Sequence, residues 1–186
     1  MSIVRAGIIR TARLELLPLL VEHAEEMAAV LADPALHGYI GGTPDTPREL
    51  RSRYRRLTAG SLDPAVSWLN WVIRLRDEDR LTGTVQATVG PAGSGPGSVA
   101  EVAWVVGTPW QGRGIASEAA RGLVDWLAEQ KGVEGVVAHI HPEHRASAAV
   151  ATVAGLTPTG DVRDGEVRWR RVIGPRSADA PGRSGS

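Results

Sequence analysis

Two glycines one residue apart, Gly112 and Gly114, stand in the run V-V-G-T-P-W-Q-G-R-G-I-A from Val105 to Ala116. Lacking Cβ atoms, they let consecutive backbone N–H groups turn toward one point, and a helix starting directly afterwards brings the positive end of its dipole to the same place. The chemistry implied is anion binding, with Arg113 adding a cation and Pro109 stiffening the approach. A second group is His139, His141 and His144, spaced H-x-H-x-x-H. The first two share a face if a strand runs through them, which permits a metal site, but no carboxylate or cysteine stands at a clear ligand spacing and no metal is expected. Alternatively a bare imidazole at His141 is a base, because its unperturbed pKa lies near ~6.5.

These residues need elements to hold them. The apolar run Val99–Val106 reads as the strand feeding the glycine loop, and Ile115, Ala119, Trp126 and Leu127 recur at helical spacing, so Ala116–Gln130 reads as the helix that follows. Val133–Ile140 reads as a further strand and Arg145–Ala154 as a small-residue helix closing at Gly155. Upstream, Thr11–Leu17 alternates as a strand. Pro18 fits a first helical turn, and Leu20, Ala24, Met27, Ala28 and Leu31 carry a helix to Asp33-Pro34. Asp33–Pro47 reads as a loop holding Tyr39, and Thr46-Pro47 opens a helix ending near Gly60. On that helix Arg48, Arg51, Arg53, Arg55 and Arg56 form a solvated face, or else a surface for an acidic acceptor. Trp68–Arg76 and Leu81–Val89 form a hairpin, Gly90–Ser98 a flexible connection, and Thr157–Arg163 pairs with Glu166–Val172 across Asp164-Gly165. The order predicts an α+β fold: one central mixed, mostly antiparallel sheet of about seven strands with helices on both faces.

A chain of 186 residues suits one domain, read over residues 1–174, with 175–186 too poor in apolar side chains to order. Basic and acidic residues number 21 each, so no global field draws in nucleic acid or a membrane surface. With no Cys, thiolate nucleophiles and cysteine metal sites are excluded. No leader pattern and no apolar run of ~20 residues is visible, and a cytoplasmic protein, monomer or homodimer, is expected.

The glycine run does not fit the common nucleotide loops. No Lys-Ser/Thr pair follows Gly114, as a Walker loop requires, and a third glycine with a downstream acid is missing for a dinucleotide fingerprint. Gln111-Gly112-Arg113-Gly114-Ile115-Ala116 instead resembles Q/R-x-x-G-x-G/A, the acetyl-CoA pyrophosphate loop of the GNAT superfamily of N-acetyltransferases, with E-V-A-W-V-V before it and S-E-A-A-R after it. Similarity is closest to the Rim-type branch and spans Thr11 to Val172. The resemblance implies acetyl transfer from acetyl-CoA to a primary amine of a small molecule or protein. It also implies that the strands around Val106 and Val137 splay to admit the pantetheine arm, whose backbone partners are Trp104, Val105 and Val106. It places Glu101 where a carboxylate deprotonates the amine, unless that Glu is tied to a neighbouring N–H. His144 stands where an Asn of H-P-E-N-x-x-S contacts the CoA arm, and Ser147 aligns with the Ser of that pattern as a CoA ligand or thiolate-protonating group. Ala151 occupies the place of the Tyr acid of other branches. Asp33–Tyr54 and Asp161–Glu166 are the expected acceptor walls. Two readings compete with catalysis: a CoA-binding regulatory module without turnover, and a partner-binding domain using exposed tryptophans.

Overall fold

Strands β1 (Ile9–Arg10), β2 (Leu14–Pro18), β3 (Ser67–Leu75), β4 (Arg80–Pro91), β5 (Ser98–Val106), β6 (Val133–Ile140), β7 (Thr157–Arg163) and β8 (Glu166–Val172) form one sheet. The structure is a computed structural model that describes residues 4–93 and 96–174. Strand order is β1-β2-β3-β4-β5-β6-β8-β7, and every neighbouring pair is antiparallel except β5 with β6. The helices are α1 (Ala24–Val30), α2 (His37–Ile40), α3 (Pro47–Ala59), α4 (Ile115–Ala128) and α5 (Arg145–Val153).

Alternation along the strands divides the core in two. Leu69, Trp71 and Ile73 of β3 pack in one cluster with Ile115, Leu123 and Leu127 of α4, whereas Val72 and Leu81 join Met27 of α1 and Leu50 and Tyr54 of α3 in the other. The period of two in a strand therefore sends neighbouring residues to helices on opposite faces. Each buried Leu contributes roughly 1.5–3 kcal/mol by leaving water. Trp71, fully buried, donates its indole N–H to the Gly7 carbonyl at 2.7 Å and meets Trp126 edge-on. Among the six tryptophans only Trp68 is exposed, which leaves little for a tryptophan-based docking surface.

Several boundaries differ from expectation for local reasons. An eighth strand, β1, lies ahead of the expected first strand and pairs Ile9 with Leu16. Thr11 turns rather than extends: its N–H reaches the Leu14 carbonyl at 3.0 Å, so β2 begins only at Leu14. Pro18 ends β2 instead of opening a helix. Leu20 stays extended, its N–H donates to His23 Nδ1 at 3.0 Å, and helical turns start at Val21. The presumed loop Asp33–Pro47 contains α2, which Gly41 and Gly42 end at φ of 79° and 74°. Gly90 and Pro91 belong to β4, paired with Val99 and Ser98, so the glycine-rich connection is shorter than expected; residues 94 and 95 lie outside the described residues, as does the tail from 175. Asp164 and Gly165, with φ of 50° and 81°, make the anticipated β7–β8 turn.

Candidate functional site

The one parallel pair in the sheet is also the one that comes apart. β5 and β6 are paired from Ser98↔Val133 to Glu101↔Val137, and beyond those residues their carboxyl-terminal halves share no register. This opening lies at the end of β5 from which the glycine loop leaves, and α4 follows that loop. The anticipated splay between the strands of Val106 and Val137 is thus present, starting at Glu101.

The loop is prearranged by its own backbone and braced from three directions. Gly112 and Gly114 have φ of 72° and 76°, a left-handed conformation that a Cβ would disfavour, and Gly114 is the N-cap residue of the 14-residue α4. From β5, the Val106 carbonyl accepts the Gln111 side-chain N–H at 3.0 Å. From the β3–β4 turn, Glu78 accepts from Arg113 at 2.6 Å and from the Trp110 indole at 3.2 Å. Those two hydrogen bonds, Arg113's first, hold the Glu78 carboxyl below the usual carboxylate range. From the segment before β2, Arg13 donates to the Arg113 carbonyl at 3.0 Å while its Nε and backbone N–H both reach Glu118 on α4 at 2.7 Å. Glu118 also accepts from the Thr11 hydroxyl at 2.6 Å. Burial pushes the Glu118 carboxyl up, but donors from Thr11 and Arg13 outweigh it and the net displacement is downward. Of these bracing residues Val106, Gln111 and Arg113 were singled out from sequence; Glu78, Arg13, Thr11 and Glu118 were not, because their contacts span from 32 to 107 positions.

On the other side of the opening lies a cleft of about 730 Å³. Of the residues singled out from sequence, Glu101, Trp104, Val105, His139, His141, His144 and Ser147 line it; Val106 and Gln111–Ala116 do not, and belong to the loop end of the opening. The helical wall comes from α2 and α3 as expected for Asp33–Tyr54, whereas Glu166 alone represents the Asp161–Glu166 turn. Tyr39 of α2 lies over the end of β6, its ring stacked on His144 with centroids 4.0 Å apart and 5.8 Å from that of His141. Burial, and secondarily the neighbouring His141, lowers the His144 pKa and favours its neutral ring.

The polar groups in the cleft are unevenly satisfied. His139 Nδ1 lies 3.2 Å from Glu101 Oε1 across the opening, a pair that sequence did not suggest. His141 Nδ1 accepts the Glu143 N–H at 3.2 Å. Tyr54 is 3% exposed, its hydroxyl has no partner among the described residues, and burial pushes its pKa up to about 12. His37 Nε2 is likewise buried without a partner. Among the described residues no three His, Cys, Asp or Glu side chains converge as a metal site requires; His139 turns to Glu101 instead. The described helices include none long and apolar enough to cross a membrane.

A family model described as an acetyltransferase (GNAT) domain matches residues 13–157. Among solved structures, the fold is similar to that of RimL, a ribosomal alpha-N-protein acetyltransferase in complex with coenzyme A, at 18% identity over 90% of this chain and 98% of that one, with TM-score 0.73. It is similar to a GNAT-family acetyltransferase from Bacillus anthracis at 18% identity over 90% and 99%, TM-score 0.71. An acetyltransferase from Agrobacterium tumefaciens shares 25% identity over 92% and 97%, TM-score 0.64. No curated protein matches the chain.

Proposed function

Since the chain belongs to the GNAT family of acetyltransferases, we propose that it transfers an acetyl group from acetyl-CoA directly to a primary amine of a small molecule or protein. The observation that carries this reading is the opening between β5 and β6, which has a glycine-lined helix N-terminus at one end and a polar cleft at the other. A long cofactor with an anionic end and a reactive end fits that layout, and the similarity of fold to a RimL that binds coenzyme A supports the choice.

In this proposal backbone N–H groups from Gln111 to Ala116, including Gly112, Arg113, Gly114 and Ile115, hold the pyrophosphate. The unpaired edge of β5 at Trp104, Val105 and Val106 takes the pantetheine arm as an added strand. His144, the N-cap residue of α5, and Ser147 in its first turn contact the CoA arm, and Ser147 protonates the departing thiolate. Deprotonation of the amine falls to a group at the mouth of the opening, where Glu101 and His141 are the candidates named from sequence. Positioning the amine against an already activated thioester supplies much of the acceleration.

The test is release of free thiol from acetyl-CoA with a panel of primary amines, alongside calorimetric titration with CoA. Binding with amine-dependent thiol release supports catalysis. Binding without release by any amine leaves a regulatory CoA module, and absence of binding removes both readings.

A further inference from the structure

Glu101 and His139 come from separate strands and meet where the β5–β6 pairing ends. Glu101 is the last paired residue of β5, opposite Val137, and His139 is two residues further along β6 on the same face. Their contact is 3.2 Å, both line the cleft, and the exposures of the two side chains are 58% for Glu101 and 17% for His139. An ionised carboxylate only accepts hydrogen bonds, so this contact places the ring proton on Nδ1 and, in the neutral ring, leaves a bare lone pair on Nε2. At His141 the arrangement is reversed: Nδ1 accepts the Glu143 N–H, so the neutral ring carries its proton on Nε2 and has no free lone pair. His144 is stacked against Tyr39.

We propose that His139 accepts the amine proton through Nε2 and that Glu101 is its positioning residue, fixing the ring tautomer through Nδ1. The inference rests on the acetyl transfer proposed above. In that step the amine nitrogen forms a bond to the acetyl carbon and one N–H proton passes to His139 Nε2. The C–S bond breaks with its electron pair on sulfur, the thiolate takes the proton of the Ser147 hydroxyl to become the free thiol, and the imidazolium returns a proton to Ser147 through water. The net change is amine plus thioester to amide plus thiol. An imidazole suits this transfer at neutral pH better than an exposed carboxylate, whose ordinary value lies near ~4.3. Other charged or titratable neighbours are Arg168, the Cα partner of His139 on β8, whose guanidinium lies 3.7 Å from Asp161; Arg170, opposite Val137; and His141, Glu166 and Tyr39 along the cleft.

Two variants and one spectrum decide it. His139→Asn keeps a donor toward Glu101 but has no basic nitrogen; transfer to the best amine of the panel should fall by roughly 10²- to 10⁴-fold and the acidic limb of the pH–rate profile should disappear. Glu101→Gln keeps an acceptor for Nδ1–H but loses the charge. Its rate should fall less and its acidic limb should survive. A limb lost in Glu101→Gln and kept in His139→Asn would make Glu101 the proton acceptor and overturn the proposal, as would near-native profiles in both. Nitrogen NMR of the histidine rings reads the tautomer without turnover: the neutral His139 ring should carry its proton on Nδ1, and a proton on Nε2 overturns the proposal whatever the rates. Failure of the native protein to acetylate any amine would instead remove the acetyl-transfer reading, a result distinct from these.

Discussion

The two ends of the β5–β6 opening are built on different principles. The glycine loop takes its shape from backbone conformation within a dozen residues and is then braced by Gln111, Glu78 and Arg13. The cleft has no local design: α2, α3, β3, β4, β5, β6 and α5 all contribute to its lining, and its contacts, Tyr39 on His144 or Glu101 with His139, join distant positions. A loop that is locally determined tolerates changes in its neighbours but not in its own backbone. A cleft assembled from distant elements responds to any element that shifts.

The loop should break most sharply at Gly114. Gly114→Val sets a β-branched residue at φ of 76° and a side chain before the α4 N-terminus. Loss of one or two N–H bonds to a charged phosphate, each about 1.5–3 kcal/mol, should weaken CoA binding by roughly 10- to 10²-fold or more by calorimetry. Unchanged affinity would mean that the loop is not the anion site.

A smaller effect is expected at Glu118, which ties the loop helix to the segment before β2. Glu118→Gln should lower stability by about 1.5–3 kcal/mol in chemical denaturation, since hydrogen bonds to a charged group are lost or weakened. The sign with pH follows from a folded carboxyl held below its ordinary value of 4.5. Its stabilisation is complete above that value and is lost as pH falls through the lower folded one. Native stability should therefore drop more steeply than that of Glu118→Gln below pH 4.5; parallel curves would show that the network contributes nothing.

In the cleft, Tyr54→Phe removes a buried hydroxyl that has no partner and should leave stability unchanged or raise it by about 1 kcal/mol. A clear drop in Tm would mean that the hydroxyl is satisfied in solution. The smallest effect is predicted for Arg113→Gln. Its partnership with Glu78 is exposed, at 43% and 41% of the side chains, so stability should change by less than about 1 kcal/mol. CoA affinity should fall only a few-fold and lose part of its salt dependence; a loss as large as that of Gly114→Val would shift the anion site from backbone to side chain.

Much of this was legible beforehand where the signal is short-range. Glycine spacing located the loop, Asp164-Gly165 located a hairpin, and Thr46-Pro47 opened α3 with Thr46 and Glu49 capping it. Where a competing local bond intervened, the reading slipped by a few residues, as at Pro18 and Thr11. The short α2 was missed because four residues give no periodicity.

The sequence by itself determined the conformational permissions: which residues may adopt positive φ, which alternate toward a core, and which could bind an anion or take a proton. Only the tertiary structure decided that β5 and β6 part after Glu101 and Val137, that the Glu101 carboxylate meets His139, and that Tyr39 covers His144. Backbone preference and hydrophobic period act over a few residues, whereas these meetings depend on strand register and on which face each helix packs, which no local pattern encodes.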